Sequence, residues 1–185
     1  MGRLIVIQFI TLDGVVEDPD GSDQTAFGGW AMRHGPQGVA GDKFRLGPIL
    51  HEGTLLFGRR TWEHFSNLWP HRDDPFSQAM NAATKVVASH REIDPATWSN
   101  SRTLDRPLVD WVRHHAVMTD LVVIGSESVV DALAAEDLVD EYRLLTFPTA
   151  VGSGRRLFNE AHRLELLTAE RVGPAVLSVL TTRAA

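Results

Sequence analysis

The stretch "GTLLFGRRTWEHFSNLW", residues 53–69, carries an apolar run from Thr54 to Phe57 straight into Gly58-Arg59-Arg60-Thr61 and then into an aromatic-rich segment. The run has the length and bulk of a short interior strand, and Trp62, Phe65 and Trp69 recur at helical spacing. Two arginines therefore fall at a strand-to-helix turn, with Thr61 as the expected N-cap. A helix start offers unpaired N–H groups and the positive end of the helix dipole, so two guanidinium groups there suit an anion such as a phosphate. Solvated or carboxylate-paired arginines are the commoner arrangement for an Arg-Arg pair taken by itself, and this stretch leaves both readings open.

Outward from this turn, "LIVIQFI" (4–10), "KVVAS" (85–89) and "LVVI" (121–124) join "TLLF" (54–57) as short runs with the character of covered strands. Helical patterns lie between them. Leu108, Trp111, Val112 and His115 share one face, with Asp105 as cap and Pro107 in the first turn; Val129, Val130, Leu133 and Ala134 follow the capping-box pattern Ser128-x-x-Asp131. Such alternation predicts a largely parallel sheet with helices on both faces. The C-terminal runs "LELLTAERV" and "AVLSVLTTR", joined by Gly173-Pro174, are too close for a crossover helix and predict an antiparallel hairpin. The expected fold is a three-layer α/β/α arrangement around a mixed, mostly parallel sheet with an antiparallel C-terminal hairpin, in a single domain over residues 1–185. Residues 13–41 and 148–154 read as long loops. Trp62, Phe65, Trp69, Trp98 and Trp111 are assigned to the core, and His114-His115 to the last turn of a helix.

Composition narrows the function. A chain of 185 residues with 43% hydrophobic content buries a sizeable core. No apolar run approaches the roughly 20 residues of a membrane span, and Met1-Gly2-Arg3 leads into a strand-like run without a signal-peptide pattern, so a cytoplasmic location is expected. The absence of cysteine removes disulfides, thiolate nucleophiles and cysteine metal sites, and none of the eight histidines forms an i, i+4 pair, so no metal is expected. The formal net charge of −6 argues against a nucleic-acid partner, which leaves anion recognition as a local matter.

Three loops that follow strands hold the candidate chemistry, at the strand ends where open α/β sheets bind ligands. The first is "TLDGVVEDPDGSDQTAFGGW" (11–30), where Asp13 precedes Gly14 and Gly28-Gly29-Trp30 brings an aromatic towards a pocket. Asp-Gly is also a common turn dipeptide, and Trp30 reads equally as packing on a sheet. The second is the turn at 58–61. The third is "VIGSESVVDAL" (123–133), where Gly125-Ser126 meets a helix start. No G-x-G-x-x-G follows the first strand, which disfavours an ordinary Rossmann site.

"FITLDGVVEDP", "LLFGRRTWEHF", "VIGSESVVDAL", "LVDEYRLLTFPTAVGSGRRLF" and the closing hairpin occur in the order and spacing of the dihydrofolate-reductase-like family. Over nearly its whole length the chain resembles the member of that family that forms the reductase domain of the bifunctional riboflavin-biosynthesis deaminase/reductase. The resemblance implies NADPH as cofactor, a homodimer, and reduction of a small heterocyclic or sugar-derived substrate, of the 5-amino-6-(5-phosphoribosylamino)uracil reductase type. It implies that Gly58, Arg59, Arg60 and Thr61 bind cofactor phosphates, with Ser89 and Arg91 near the 2′-phosphate. It further implies that Gly125, Ser126 and Ser128 contact the pyrophosphate, while Asp13, Gly14 and Trp30 border nicotinamide and substrate. Asp13, directly or through a water, is then the expected source of the proton, and as a carboxylic acid it serves at neutral pH only with a raised pKa. The chain departs from the family at Ile124-Gly125-Ser126, where the riboflavin reductase typically has an acid and two glycines, and at Glu127, beside the expected pyrophosphate. The cysteines of a zinc deaminase are absent. Dihydrofolate reductase activity and non-enzymatic ligand binding on the same fold are the alternative readings.

Overall fold

The computed structural model describes residues 2–182, and the expected strands are present with ends shifted by a residue. The strands are β1 (Leu4–Thr11), β2 (Thr54–Gly58), β3 (Thr84–Ala88), β4 (Ser101–Thr103), β5 (Leu121–Ile124), β6 (Glu141–Phe147), β7 (Glu165–Val172) and β8 (Ala175–Thr181). They form one eight-stranded sheet in the order β4-β3-β2-β5-β1-β6-β8-β7. The pairs β2·β3, β2·β5 and β3·β4 are parallel, and β6·β8 and β7·β8 are antiparallel. This is the expected α/β class with its C-terminal hairpin. Arg183, the last residue of the predicted "AVLSVLTTR" strand, lies outside the described residues. The helices are α1 (Pro36–Val39), α2 (Ile49–Glu52), α3 (Arg59–Ser66), α4 (Pro75–Ala82), α5 (Leu108–His115) and α6 (Glu127–Ala134).

Helix starts differ from the sequence expectation. Gly58, not Thr61, is the N-cap of α3; Pro107, not Asp105, precedes α5; and Ser126, not Ser128, stands at the start of α6. α3 and α6 begin before the best capping side chain and α5 begins after it, because tertiary placement of the preceding residues outweighs a cap's contribution of about 1 kcal/mol. The helix α4 follows an Asp-Pro start: the Asp74 carboxylate accepts the N–H groups of Phe76 and Ser77, both at 3.1 Å.

Residue contacts divide the chain into two compact units, Met1–Val6 with Leu46–Asp140 and Ile7–Arg45 with Glu141–Ala185, the division falling inside β1. In the first unit Leu55, Leu56, Phe57, Val86, Val87 and Val122 have no solvent exposure, so β2, β3 and β5 are covered on both faces. That explains their unbroken apolar runs. Trp62, Trp98 and Trp111 are buried as expected, while Phe65 and Trp69 are half-buried. One strand position in this core is charged. Lys85 is fully buried, its ammonium donating to the carbonyls of Met80 (3.0 Å), Asn81 (3.0 Å) and Ala83 (2.7 Å) and lying 4.6 Å from the centre of the Trp98 ring. It thus satisfies carbonyls at the end of α4 that have no helical partner.

In the second unit Trp30, Leu145, Phe147, Val172, Ala175 and Leu177 form the core. The buried pair Arg143–Glu141 (2.6 Å) sits on β6, and the Arg143 guanidinium also donates to the carbonyls of Phe44 (2.9 Å) and Arg45 (2.6 Å), pinning that loop. The hairpin turn requires glycine at 173. Its φ is +60°, and a Cβ there would lie 2.4 Å from the Gln37 carbonyl oxygen.

Two outcomes follow. Burial lowers the Lys85 pKa to about 8 against the favourable carbonyls and ring, whereas the unfolded lysine keeps its proton to about 10.5. Between those values the unfolded state binds more protons, so stability rises with pH. The difference in unfolding free energy between wild type and Lys85→Met should therefore grow from pH 8 to 10.5 in urea titrations; a flat or falling difference contradicts the assignment. Arg143→Met removes the cation of a buried ion pair and should cost about 3–5 kcal/mol, while Arg143→Met with Glu141→Leu should recover most of that loss in the same assay.

Candidate functional site

The turns after β2 and β5 meet in the first unit. These strands are neighbours, and the chain leaves β2 towards β3 on one side but β5 towards β6 on the other, so the strand order reverses between them. Crevices at such reversals are where open α/β sheets bind ligands. The Gly58 N–H donates to Ser126 Oγ at 2.5 Å, and the Ser126 hydroxyl donates to Thr61 Oγ1 at 2.9 Å. A Cβ on Gly58 would sit 2.5 Å from Ser126 Oγ, so this approach needs glycine. Ser126 is left-handed (φ 57°, ψ 70°), a conformation that costs a non-glycine residue energy and marks sites held by their surroundings. Gly125, also at positive φ (61°), passes with its Cα side against Thr61.

Arg59 joins a third strand end to this cluster. Its Nε donates to Glu63 (2.7 Å), and its Nη1 reaches Ser89 Oγ (3.1 Å) and the carbonyls of Arg91 (3.2 Å) and Glu92 (3.4 Å). Ser89 closes its own turn, donating to the Arg91 carbonyl at 2.7 Å and accepting the Arg91 N–H at 3.1 Å. Gly58, Arg59, Thr61, Ser89, Arg91, Gly125 and Ser126 are thus brought together. Arg60, Arg91 and Ser128 present exposed side chains, and Glu127 is the first residue of α6, where its charge suits the helix dipole.

The first loop belongs to the second unit. Asp13 is half-buried and accepts the Thr11 hydroxyl (2.6 Å), the Gly152 N–H (2.7 Å) and the Val151 N–H (3.3 Å). Thr11 in turn accepts the Val15 N–H at 2.9 Å. Gly14, at φ +82°, turns the chain and leaves its carbonyl to Leu157 (3.1 Å). Led by the Thr11 hydroxyl and then the Gly152 N–H, these donors stabilise the Asp13 carboxylate and lower its pKa to about 2. Asp13 is thus held as a carboxylate, without the raised pKa that direct proton donation at neutral pH requires. The placement expected of Trp30 is corrected. It has no solvent exposure, its Nε1 donates to the Glu17 carbonyl at 2.9 Å, and its ring meets Phe147 edge-on at 5.7 Å, so it is a core residue and not a pocket wall.

Sequence reading missed the donor loop at 151–152, whose N–H groups meet Asp13, and the His34 imidazole, whose Nε2 lies 3.1 Å from Thr149 Oγ1. The only signal in the former was Gly152, which resembles any loop glycine. Among the described residues no group of three His, Asp or Glu side chains could hold a metal, and no helix is long and apolar enough to cross a membrane.

Residues 3–178 match the family model of the RibD C-terminal domain, and the chain belongs to that family. A curated relative, the uncharacterized protein YyaP of Bacillus subtilis, is 25% identical over 164 residues, covering 84% of this chain and 80% of its own length. Among solved structures, a putative riboflavin biosynthesis protein from Shewanella sp. PV-4 superposes with a TM-score of 0.72 at 20% identity, covering 99% of both chains. Acinetobacter baumannii RibD (form 1) superposes with a TM-score of 0.65 at 18% identity over 98% of this chain and 58% of its own. The chain therefore has the riboflavin-reductase-like, dihydrofolate-reductase-like α/β fold that the sequence motifs imply.

Asp13 gives a pH prediction. With a folded pKa of about 2 against 3.8 unfolded, its contribution to stability is present above pH 3.8 and is lost as pH falls towards 2. Asp13→Asn should therefore melt below wild type at neutral pH, with the gap closing between pH 3.8 and 2, and the Val151 and Gly152 amides should exchange faster. Equal melting temperatures at pH 7 would contradict the loop-holding role.

Proposed function

We propose that the chain is an NADPH-dependent reductase of a small heterocyclic or sugar-derived substrate, of the type that acts in riboflavin biosynthesis. The observation that carries this reading is the joining of three strand ends into one donor-rich cluster, with Ser126 linking the turns after β2 and β5 and Arg59 reaching the turn after β3. Membership of the RibD C-terminal domain family supports it.

The residues fit a dinucleotide's phosphates by the chemistry of their donors. Thr61 supplies a hydroxyl held in place by Ser126, Arg59 keeps Nη2 beyond its bonds to Glu63, Ser89 and the 91–92 carbonyls, and the exposed Arg60 and Arg91 add charge. In this reading Gly58, Gly125, Ser126, Thr61 and Ser128 hold the pyrophosphate, while Arg59, Ser89 and Arg91 hold the 2′-phosphate. NADPH, when bound, supplies a hydride to a carbon made electrophilic by a C=O or C=N bond. The chain's own part is to orient and to neutralise phosphate charge. Asp13 and Gly14 shape the candidate substrate loop, with Asp13 acting as an ionised clamp on residues 151–152. The same reading takes the protein to work in the cytoplasm as a homodimer, as the resemblance implies. Full engagement of Asp13 by its own loop favours one second reading, ligand binding without turnover.

NADPH should bind at least tenfold more tightly than NADH in calorimetric titrations, since charge-assisted bonds to the extra phosphate contribute about 1.5–3 kcal/mol each. Arg91→Ala should narrow that preference without unfolding the protein. Equal dissociation constants for the two cofactors in the wild type would remove the 2′-phosphate assignment. NADPH oxidation, screened with pyrimidine, pterin and small carbonyl substrates including dihydrofolate, then separates reductase from binding protein.

A further inference from the structure

Gly58, Ser126 and Thr61 form a chain of hydrogen bonds whose protons do not balance within the protein. The Gly58 N–H has only donor capacity, so Ser126 Oγ is the acceptor in their 2.5 Å contact. Two hydroxyl protons remain, those of Ser126 and Thr61, and the single 2.9 Å contact between the two oxygens consumes one of them. No acceptor for the other is recorded among the described residues. With Ser126 donating to Thr61, the remaining proton is that of Thr61, whose side chain is half-buried in the first turn of α3. Each donor in such a row polarises the next, which strengthens the last O–H as a donor.

We infer that Ser126 is a positioning residue: by taking the Gly58 N–H and filling an acceptor site on Thr61 Oγ1, it fixes the Thr61 hydroxyl as an outward donor to an anionic oxygen. This rests on the dinucleotide reading above and adds how one phosphate oxygen is recognised. It also explains why a serine occupies a left-handed position that glycine adopts without strain. A glycine at 126 would leave the Gly58 N–H without its acceptor and the Thr61 hydroxyl free to rotate among several acceptors, so its proton would be aimed only part of the time.

The test is a double-mutant cycle read by calorimetric titration of NADPH into wild type, Ser126→Ala, Thr61→Val and the double variant. Alanine keeps the Cβ and the backbone demand at 126, so only the hydroxyl is removed. Each single change should weaken binding about tenfold, and the double variant should be no more than about twofold weaker than the weaker single, because both changes break the same chain. Losses that multiply to about a hundredfold would show two independent contacts and overturn the inference. An unchanged dissociation constant in Ser126→Ala with a lower melting temperature would also overturn it, leaving a purely structural hydroxyl. If the wild type does not bind NADPH, the cofactor reading fails on its own, and inorganic pyrophosphate decides the matter. Binding of pyrophosphate that both single variants lose supports the outward donor, and absence of binding to the wild type overturns it.

Discussion

A single hydroxyl, that of Ser126, holds together the two turns on which the candidate phosphate site depends, and sheet register brings it there. β2 pairs with β5 from Thr54↔Leu121 to Leu56↔Val123 and with β3 from Thr54↔Thr84 to Gly58↔Ala88. Continuing the first register places Gly58 level with Gly125, so three parallel strands end on one line and their loops leave from the same edge. All three strands are covered on both faces, so a one-residue slip would exchange side chains between two packed layers, and the close packing of those layers fixes the register. The contact at Gly58 is then short enough to exclude a side chain. Packing of Leu, Val and Phe in the strands thus sets the geometry of a polar cluster at their ends.

The two buried cations serve a related purpose by different means. Lys85 has no carboxylate among its described partners and is held by three carbonyls and a ring, so its charge offsets backbone groups that a helix end leaves without donors. Arg143 has Glu141 and two carbonyls of a loop, and the pair orders the segment at Phe44 and Arg45. Neither arrangement is an economical source of stability, since desolvating a charge costs several kcal/mol that its partners largely repay. Their effect is specific placement, of the end of α4 in one unit and of a long connecting loop in the other.

Asp13 shows how a plausible chemical role is redirected by its neighbours. A carboxylate beside a candidate substrate loop serves as an acid only when burial or like charge raises its pKa. Here four donors do the opposite: the Thr11 hydroxyl, the two N–H groups from 151–152 and its own backbone amide all favour the ionised form. The loop that the charge orders is the one that the sequence motif "GSG" (152–154) marks, where a Cβ on Gly154 would meet Phe27 and Val15 within 3 Å. The dipeptide Asp13-Gly14 is thereby explained as an anchor between two segments distant in sequence.

The sequence by itself determined six of the eight strands, the closing hairpin and the two glycine turns, because strand burial and turn stereochemistry are local and leave marks in composition and spacing, whereas the three-residue β4 left no such mark and the order within the sheet came with the fold. The strand β6 was legible only as part of a family motif, since Glu141 and Arg143 break its apolar pattern and cancel each other only once folded. Helix starts, the burial of Trp30 and the ionisation of Asp13 were decided by tertiary structure alone. Each depends on groups far away along the chain: Gly58 meets Ser126, Trp30 meets Phe147, and Asp13 meets Gly152. A side chain's protonation and exposure are properties of what surrounds it, and those surroundings are assembled by contacts that no local pattern encodes.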